Sequence, residues 1–391
     1  MTARVLIHVQ HLLGTGHLQR ATLVARALIA EGAAVTLMTG GMPLPGFRLD
    51  GGRVVQLPPL RATDATFRHL VGPEDRPLDA AMQAERRRLV LESFGQSRPD
   101  VVMTETYPFG RRALRFELEP LIEAVRAAVP RPVLVASIRD ILVAKPDPAK
   151  RRAMVARFDA DYDRLLVHAD PRLIRLEASL PEAIGLADRI RYTGFVAPAT
   201  AMPGPETPSG EVVVSAGGGV VGAALLRVAL AARPLSRHAA TPWRLVTGRN
   251  LPEHDFAALV EAAGDGVTIE RFRADLPALF RCAALSISQA GYNTAIELLQ
   301  ARVPMVLVPF AEAAETEQTL RARLLTEAGM ARMVEADALD PHRLAEAIDQ
   351  AETPPPLAVD LDGARNSAGA ILQWATERDA MKGARIAADP C

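Results

Sequence analysis

Cysteine is nearly missing from the chain: two in 391 residues, Cys282 and Cys391. Two thiols, one of them the last residue, cannot build a disulfide framework or a cysteine-ligated metal or iron–sulfur centre. Thiols this sparse suit a reducing cytoplasm. Aromatic residues make up only 4% of the chain. That is too few for a base-stacking platform for single-stranded nucleic acid or for an aromatic-lined sugar cleft. No run of about 18 uncharged apolar residues occurs, which excludes a membrane-spanning helix. No Lys/Arg run resembles a nucleic-acid-binding arm. The opening MTARVLIHVQ is a short apolar segment with a charge at Arg4 and a Gly-rich turn behind it, and it reads as a first strand rather than a secretory leader.

What is present is the balance of a water-soluble globule, 49% apolar and 23% charged, with length for two or three domains. The net charge of −1 hides an asymmetry. Residues 1–195 carry 28 Lys and Arg against 22 Asp and Glu, and residues 196–391 carry 17 against 24. A basic first half suits an anionic acceptor or a phospholipid surface; Arg-rich solvated helices would give the same count.

Strand-like runs RVLIHVQ (4–10), AVTLMT (34–39), VVMTET (101–106), VLVASI (133–138) and RLLVHA (164–169) alternate with helical spacing over 17–31, 79–97 and 111–128. A second series repeats the plan: EVVVSA (211–216), WRLVTG (243–248), VTIERF (267–272), ALSIS (284–288) and MVLVP (305–309). Apolar strands between amphipathic helices predict parallel sheets covered on both faces, an α/β fold. Between the series, VAPATAMPGPETPSG (196–210) has the composition of a linker. The expected organisation is a first domain over 1–196, a hinge-like linker over 197–210 and a second domain over 211–363. A terminal helix near 364–380 is expected to pack back on the first domain.

Ligands of open α/β sheets bind outside the strand C-termini, so the turns after the strands should carry the chemistry. The first such turn holds Gly14, Thr15, Gly16 and His17. Its glycines permit close approach, and the following helix points its free N–H groups the same way. Read alone, it is equally a tight turn with a helix-capping His. The second, Ser215-Ala216-Gly217-Gly218-Gly219-Val220-Val221-Gly222, offers an array of bare amides, and no Lys-Ser/Thr pair follows to make it a Walker loop. The third runs Gln289-Ala290-Gly291-Tyr292-Asn293, then Glu297, then Val308-Pro309-Phe310, then Glu317-Gln318. There the helix N-terminus can hold an anion, Glu297 can accept a ribose diol, and Glu317 with Gln318 can meet sugar hydroxyls.

This third segment resembles the donor region of GT-B glycosyltransferases. Within them it resembles the N-acetylglucosaminyltransferase family of peptidoglycan synthesis, as found in a bacterial branch of predicted glycosyltransferases. Gly291, Glu297, Val308-Pro309-Phe310 and Gln318 stand in register with that family, and Glu327-Ala328-Gly329 follows. The resemblance implies two Rossmann-like domains facing a cleft and an inverting transfer from a nucleotide sugar, UDP-linked and carrying a hexose or N-acetylhexosamine. The acceptor would be a small molecule, a lipid-linked group or a peptide, and no metal or other cofactor would be needed. It gives Gly217, Gly218 and Gly219 to the diphosphate, and Phe272 and Arg273 to the nucleobase. Gly291, Tyr292 and Asn293 go to the anion, Glu297 to the ribose, Glu317 and Gln318 to the sugar, and His17 to the general base. The chain departs from the family at Glu317, where the first of two Gln is usual, and in an N-terminal loop one glycine shorter. Residues 40–195 match weakly.

Glu105, closing a strand, is expected to orient His17 or meet the acceptor, and His17 to titrate near the ordinary value of about 6.5. The Asp159-Ala-Asp161-Tyr-Asp163 spacing ends a helical segment and reads as a solvated face. His8, His11 and His17 share no helical face, so no metal site is expected. Two other readings fit the scaffold: a nucleotide-sugar hydrolase or 2-epimerase, and a non-catalytic nucleotide-sugar-binding protein. The expected location is the cytoplasm, with peripheral contact at the inner membrane face and no nucleic-acid partner.

Overall fold

The computed structural model describes residues 2–12, 14–63, 69–143, 145–198, 210–217, 222–310, 316–356 and 359–388. The chain divides into two units. One comprises residues 1–171, 180–196 and 362–391, the other 172–179 and 197–361.

In the first unit, β1 (Arg4–Val9) is buried from its second residue on, because helices cover both faces of its sheet. It is followed by α1 (Gly16–Ala30), β2 (Ala34–Thr39), β3 (Arg53–Gln56) and a two-residue antiparallel pair, β4 (Arg61–Ala62) with β5 (Leu70–Val71). Then come α2 (Ala80–Ser97), β6 (Val101–Glu105), α3 (Arg115–Ala127), β7 (Val133–Arg139), α4 (Pro148–Asp161), β8 (Arg164–His168) and β9 (Ile190–Tyr192). Local signals fix several boundaries. Asp79 caps α2 by accepting from the Met82 amide at 2.8 Å, and Asp147 caps α4 with Pro148 at its first position. The sheet is wholly parallel, in the order β3-β2-β1-β6-β7-β8-β9.

The second unit repeats the pattern with β10 (Val212–Ser215), α5 (Ala223–Ala232), β11 (Trp243–Val246), α6 (Glu253–Ala262), β12 (Val267–Glu270) and α7 (Leu276–Cys282). It continues with β13 (Leu285–Ser288), α8 (Tyr292–Ala301), β14 (Met305–Leu307), α9 (Glu317–Glu327), β15 (Arg332–Met333) and α10 (Pro341–Gln350). Its parallel sheet runs β12-β11-β10-β13-β14-β15. Val212, Val214, Leu245, Ile287 and Val306 pack there against α5 and α10.

The last helix, α11 (Gly363–Ala388), returns to the first unit. Ala368, Ile371 and Trp374 join Val24 and Leu28 of α1 in one core. Gly363 is required where it stands, since a Cβ there would come within 2.6 Å of the Gly194 carbonyl oxygen. Arg378 fastens the helix by donating to Asp100 at 2.9 Å. Among the described residues no helix is long and apolar enough to cross a membrane.

The sequence pattern leaves three things unmarked. The short strands β3, β9 and β15 carry exposed residues at sheet edges and lack an apolar run. Residues 172–179 group with the second unit, and α11 runs on to Ala388. Of the expected linker, 199–209 lie outside the described residues.

Candidate active site

Each sheet reverses its strand order once, at β1/β6 in the first unit and at β10/β13 in the second. Turns leaving such a pair run to opposite faces and open a crevice at the strand ends. The segments holding Gly14–His17, Gly217 and Gln289–Asn293 follow strands at these points and Glu105 ends one, while Phe272–Arg273 and Glu317–Gln318 follow β12 and β14.

In the first unit, His17 lies in the first turn of α1 and Glu105 ends β6. His17 Nδ1 is 3.1 Å from Glu105 Oε1. A carboxylate only accepts, so it fixes the imidazole proton on Nδ1 and leaves Nε2 as a bare acceptor. The ring keeps 17% of its side-chain surface open. Thr106 Oγ1 lies 3.3 Å from the same Nδ1. Thr106 itself sits at φ 71°, a strained conformation for a β-branched residue, held here beside the His–Glu pair. Gly14, Thr15 and Gly16 form the approach to α1. Thr15 occupies the N-cap without a side-chain bond to the helix, so the first amides are left uncapped by it.

Glu105 is buried at 3% exposure, so it is an orienting group and does not meet solvent. Buried Arg20 pairs with its Oε1. Ser137 donates to its Oε2 at 2.6 Å, and the Ser137 oxygen lies 2.9 Å from His168 Nε2. His168 Nδ1 is in turn 2.9 Å from Thr193 Oγ1. Ser137 stands opposite Glu105 in the β6/β7 register, and His168 ends the next strand. Arg20, Ser137 and His168 join this network without a Gly-rich turn to mark them. Arg20 lies one helical turn after His17 on α1, Ser137 within β7 and His168 at the end of β8.

Burial pushes His17 down, and the Arg111 and Arg20 guanidinium groups push it further, to about 3, against the smaller pull of Glu105. The imidazole is therefore neutral at pH 7, and the ordinary His value expected from sequence is replaced by a lower one. Burial would lift the Glu105 carboxyl, but Arg20 and the His17 bond hold it well below the usual carboxylate range. His168 is likewise lowered to about 3 by burial and by Arg20.

In the second unit, Gly217 sits at φ 61°, where a side chain would be strained. A Cβ on Gly222 would stand 2.2 Å from that of Ala216, so Gly222 lies directly against the end of β10. Gly218 and Gly219 lie outside the described residues. Gly291 caps α8 with ordinary dihedrals, and a Cβ there would meet nothing within 4 Å. The space before it is open.

Glu297, in the second turn of α8, has no hydrogen bond or ion pair among the described residues, and burial pushes its carboxyl up to about 7. An enclosed carboxyl without a partner is costly.

The other donor candidates divide. Tyr292 is buried, and the Arg321 guanidinium lies 5.7 Å from its ring centroid. Its side chain is thus core, and only its amide faces the turn. Asn293 follows it, half-buried. Glu317 is also buried and accepts from Arg321 at 2.8 Å, while Arg321 donates to the Ala290 carbonyl at 2.6 Å. The Glu317 carboxylate therefore braces the 289–291 turn rather than standing open to a sugar hydroxyl. The Gln318 carbonyl accepts from the Phe310 amide at 3.1 Å, leaving its NH₂ to donate. Arg273 forks onto Asp275 at 2.8 and 2.5 Å, so its side chain is committed within the loop. Phe272 is 50% exposed, with Arg249 3.6 Å from its ring centroid.

The aspartates 159, 161 and 163 pair with Arg189, Arg126 and Arg131 respectively.

Residues 212–368 match the model of the glycosyltransferase family 28 C-terminal domain. Solved structures cover nearly the whole chain. The calicheamicin glycosyltransferase CalG4 is 17% identical with a TM-score of 0.59, covering 98% of both chains. MurG of Acinetobacter baumannii is 17% identical with a TM-score of 0.56, covering 97% of this chain and 99% of its own. Os79 from O. sativa, solved with UDP, is 16% identical with a TM-score of 0.62, covering 95% and 100%. The fold is GT-B. Among curated proteins, the UDP-N-acetylglucosamine–N-acetylmuramyl-(pentapeptide) pyrophosphoryl-undecaprenol N-acetylglucosamine transferase of Xanthomonas axonopodis pv. citri is 34% identical over 168 residues, 43% of this chain. The enzyme of that name from Chromohalobacter salexigens is 35% identical over 145 residues, 37% of this chain. The chain spans 38% of the length of each of these two relatives. Within the GT-B frame, the family domain contains both turns of the second switch point together with Glu297, Glu317 and Gln318. The His17–Glu105 pair lies in the other half of the chain, outside the residues this family model matches.

Proposed function

We propose that the chain is a glycosyltransferase that moves a hexose or N-acetylhexosamine from a UDP-linked donor to an acceptor hydroxyl, with inversion. The observation that carries this reading is the family 28 domain over 212–368 on a chain that is GT-B throughout. The second unit binds the donor. The diphosphate takes the amides at the start of α8 and in the 217–222 turn, whose positive dipole ends offset the charge of the leaving group. Ribose hydroxyls donate to Glu297, an enclosed carboxyl with no hydrogen bond or ion pair among the described residues. The Phe272–Arg273 segment takes the base, and the Gln318 amide takes a sugar hydroxyl.

The first unit activates the acceptor. Neutral His17 removes the hydroxyl proton at Nε2 while its Nδ1–H is held by Glu105, and the imidazolium formed is stabilised by that carboxylate. No divalent metal is required. Full activity in excess EDTA is the expected result, and loss restored by Mn²⁺ would refute it. The protein works in the cytoplasm on an acceptor that is lipid-linked or a small molecule, in peripheral contact with the membrane in the first case.

A thermal-shift series over nucleoside diphosphates, then a transfer assay, tests the whole. UDP should raise the midpoint, because it binds only the native state. Sugar release should need an added acceptor; release at the same rate without one would indicate a hydrolase.

A further inference from the structure

The first unit also holds a recess of about 300 Å³ that the mechanism above does not use. Its walls are Tyr107, which follows β6 two residues after Glu105, then Arg112, Arg115, and Lys150, Met154 and Arg157 of α4. Four cations line one small space. The carboxylates that reach them are few. Glu119 accepts from Arg157, lies 3.7 Å from Arg115 and takes a long 3.4 Å bond from the Tyr107 hydroxyl. Asp147 is 3.9 Å from Lys150, and Asp161 is 3.6 Å from Arg157 but also pairs with Arg126 at 2.8 Å. Arg112 has no carboxylate partner among the described residues.

Behind this wall stands a fifth cation. Lys145 donates to the Phe109 carbonyl at 3.1 Å and lies 2.7 Å from Met154 Sδ, with no carboxylate partner among the described residues. Burial and the nearby Arg112 push its ammonium down to about 8. A half-buried ammonium against a thioether and a second cation is costly on its own.

The helices make the arrangement more telling. α3 and α4 both begin at this wall, and basic residues gather there: Arg112 in the turn leading into α3, Arg115 at its first position, and Lys150 in the first turn of α4. Cations belong at helix C-termini, so this placement opposes both dipoles. A bound anion turns every one of these costs into an attraction.

We propose that this recess binds a phosphate group. Donors approach from the turn before α3, from α3 and from α4. That spread suits a tetrahedral dianion with three acceptor oxygens better than a planar carboxylate, which a single guanidinium fork would satisfy. The group is either soluble or carried on a lipid. The site stands apart from the donor reading and does not depend on it.

The test is calorimetric titration of the full chain with inorganic pyrophosphate while UDP is held at saturation, alongside Arg112→Gln and Lys145→Met. We expect one binding event, weakened at least tenfold in each variant, with UDP affinity unchanged. Arg112 is exposed, so Arg112→Gln should keep the thermal midpoint even if Lys145→Met lowers it. A parallel arm compares co-sedimentation with phosphatidylcholine vesicles with and without phosphatidic acid. Retention only with phosphatidic acid, lost in Arg112→Gln, assigns the group to a lipid. Pyrophosphate binding without vesicle retention assigns it to a soluble phosphate. Absence of both, or binding that Arg112→Gln leaves intact, overturns the proposal. If UDP fails to bind, the donor assignment falls, and comparing Arg112→Gln with the parent chain still decides the recess.

Discussion

Two side chains, one in each unit, face opposite electrostatic problems. His17 is enclosed among cations, and His17→Ala should lower kcat by about 10²–10⁴ while leaving UDP affinity unchanged, because no donor group is assigned to its unit. Since its pKa is depressed to about 3, the rate should show no ascending limb near pH 6.5. Removing a cation should raise that pKa, so Arg111→Gln should bring a limb up into the acid range of the pH–rate profile. Glu297 presents the reverse case. Its carboxyl is raised from 4.5 to about 7, so between those values the native chain holds a proton that the unfolded chain has released. Its contribution to stability is therefore full below pH 4.5 and is lost as pH rises through 7. Glu297→Gln should flatten that slope in melting curves. In binding, the ionised form accepts ribose hydroxyls, so UDP affinity should climb as pH passes upward through about 7 and stay level in the Gln variant. Glu297→Ala should weaken UDP by about 1.5–3 kcal/mol. At this scale the sequence was half legible. Gly291, Glu297 and His17 stand in turns whose chemistry can be read along the chain. The bonds that tie Arg20, Ser137 and His168 to the Glu105 network span 31 to 85 residues, and no local pattern marks such a pairing.

At the level of single elements, the turn into α8 shows how a buried ion pair can shape a ligand loop. Arg321 and Glu317 are one helical turn apart on α9, both buried, and Arg321 also holds the Ala290 carbonyl. Arg321→Met would strand the Glu317 carboxylate and should destabilise the protein by about 3–5 kcal/mol. The pair Arg321→Met with Glu317→Leu should recover much of that loss in chemical denaturation. UDP should bind the double variant more weakly than the parent, since the 289–291 turn loses its brace. Full-strength binding by the double variant would show that the pair serves packing alone. Elements of this kind were legible where burial on both faces writes a continuous apolar run, as in β1, β6, β10 and β13. The strands β3, β9 and β15 escaped notice because edge positions need no such run. The spacing of Glu317 and Arg321 is that of any solvated helix pair, and only their burial distinguishes them.

For the molecule as a whole, the helix α11 matters most. It supplies Ala368, Ile371 and Trp374 to the core built on α1. A chain ending at 362 should therefore lose stability in its first unit and keep the second, seen as lowered hydrogen-exchange protection over β1, α1 and β6 with little change over β10–β14. Alternation of strand and helix made the two-sheet plan readable from the chain. That the last segment returns to the first sheet depends on contacts between residues more than 300 positions apart, such as Val24 and Ile371, which no spacing rule encodes. The same return sets the order in which the protein can mature on the ribosome. Residues 197–361 emerge as a nearly continuous stretch and can close their core while synthesis continues. The first unit, although most of it precedes the second in the chain, lacks one wall until α11 has been synthesised. Until then its apolar α1 surface must be covered in the nascent chain by something other than its own partner helix.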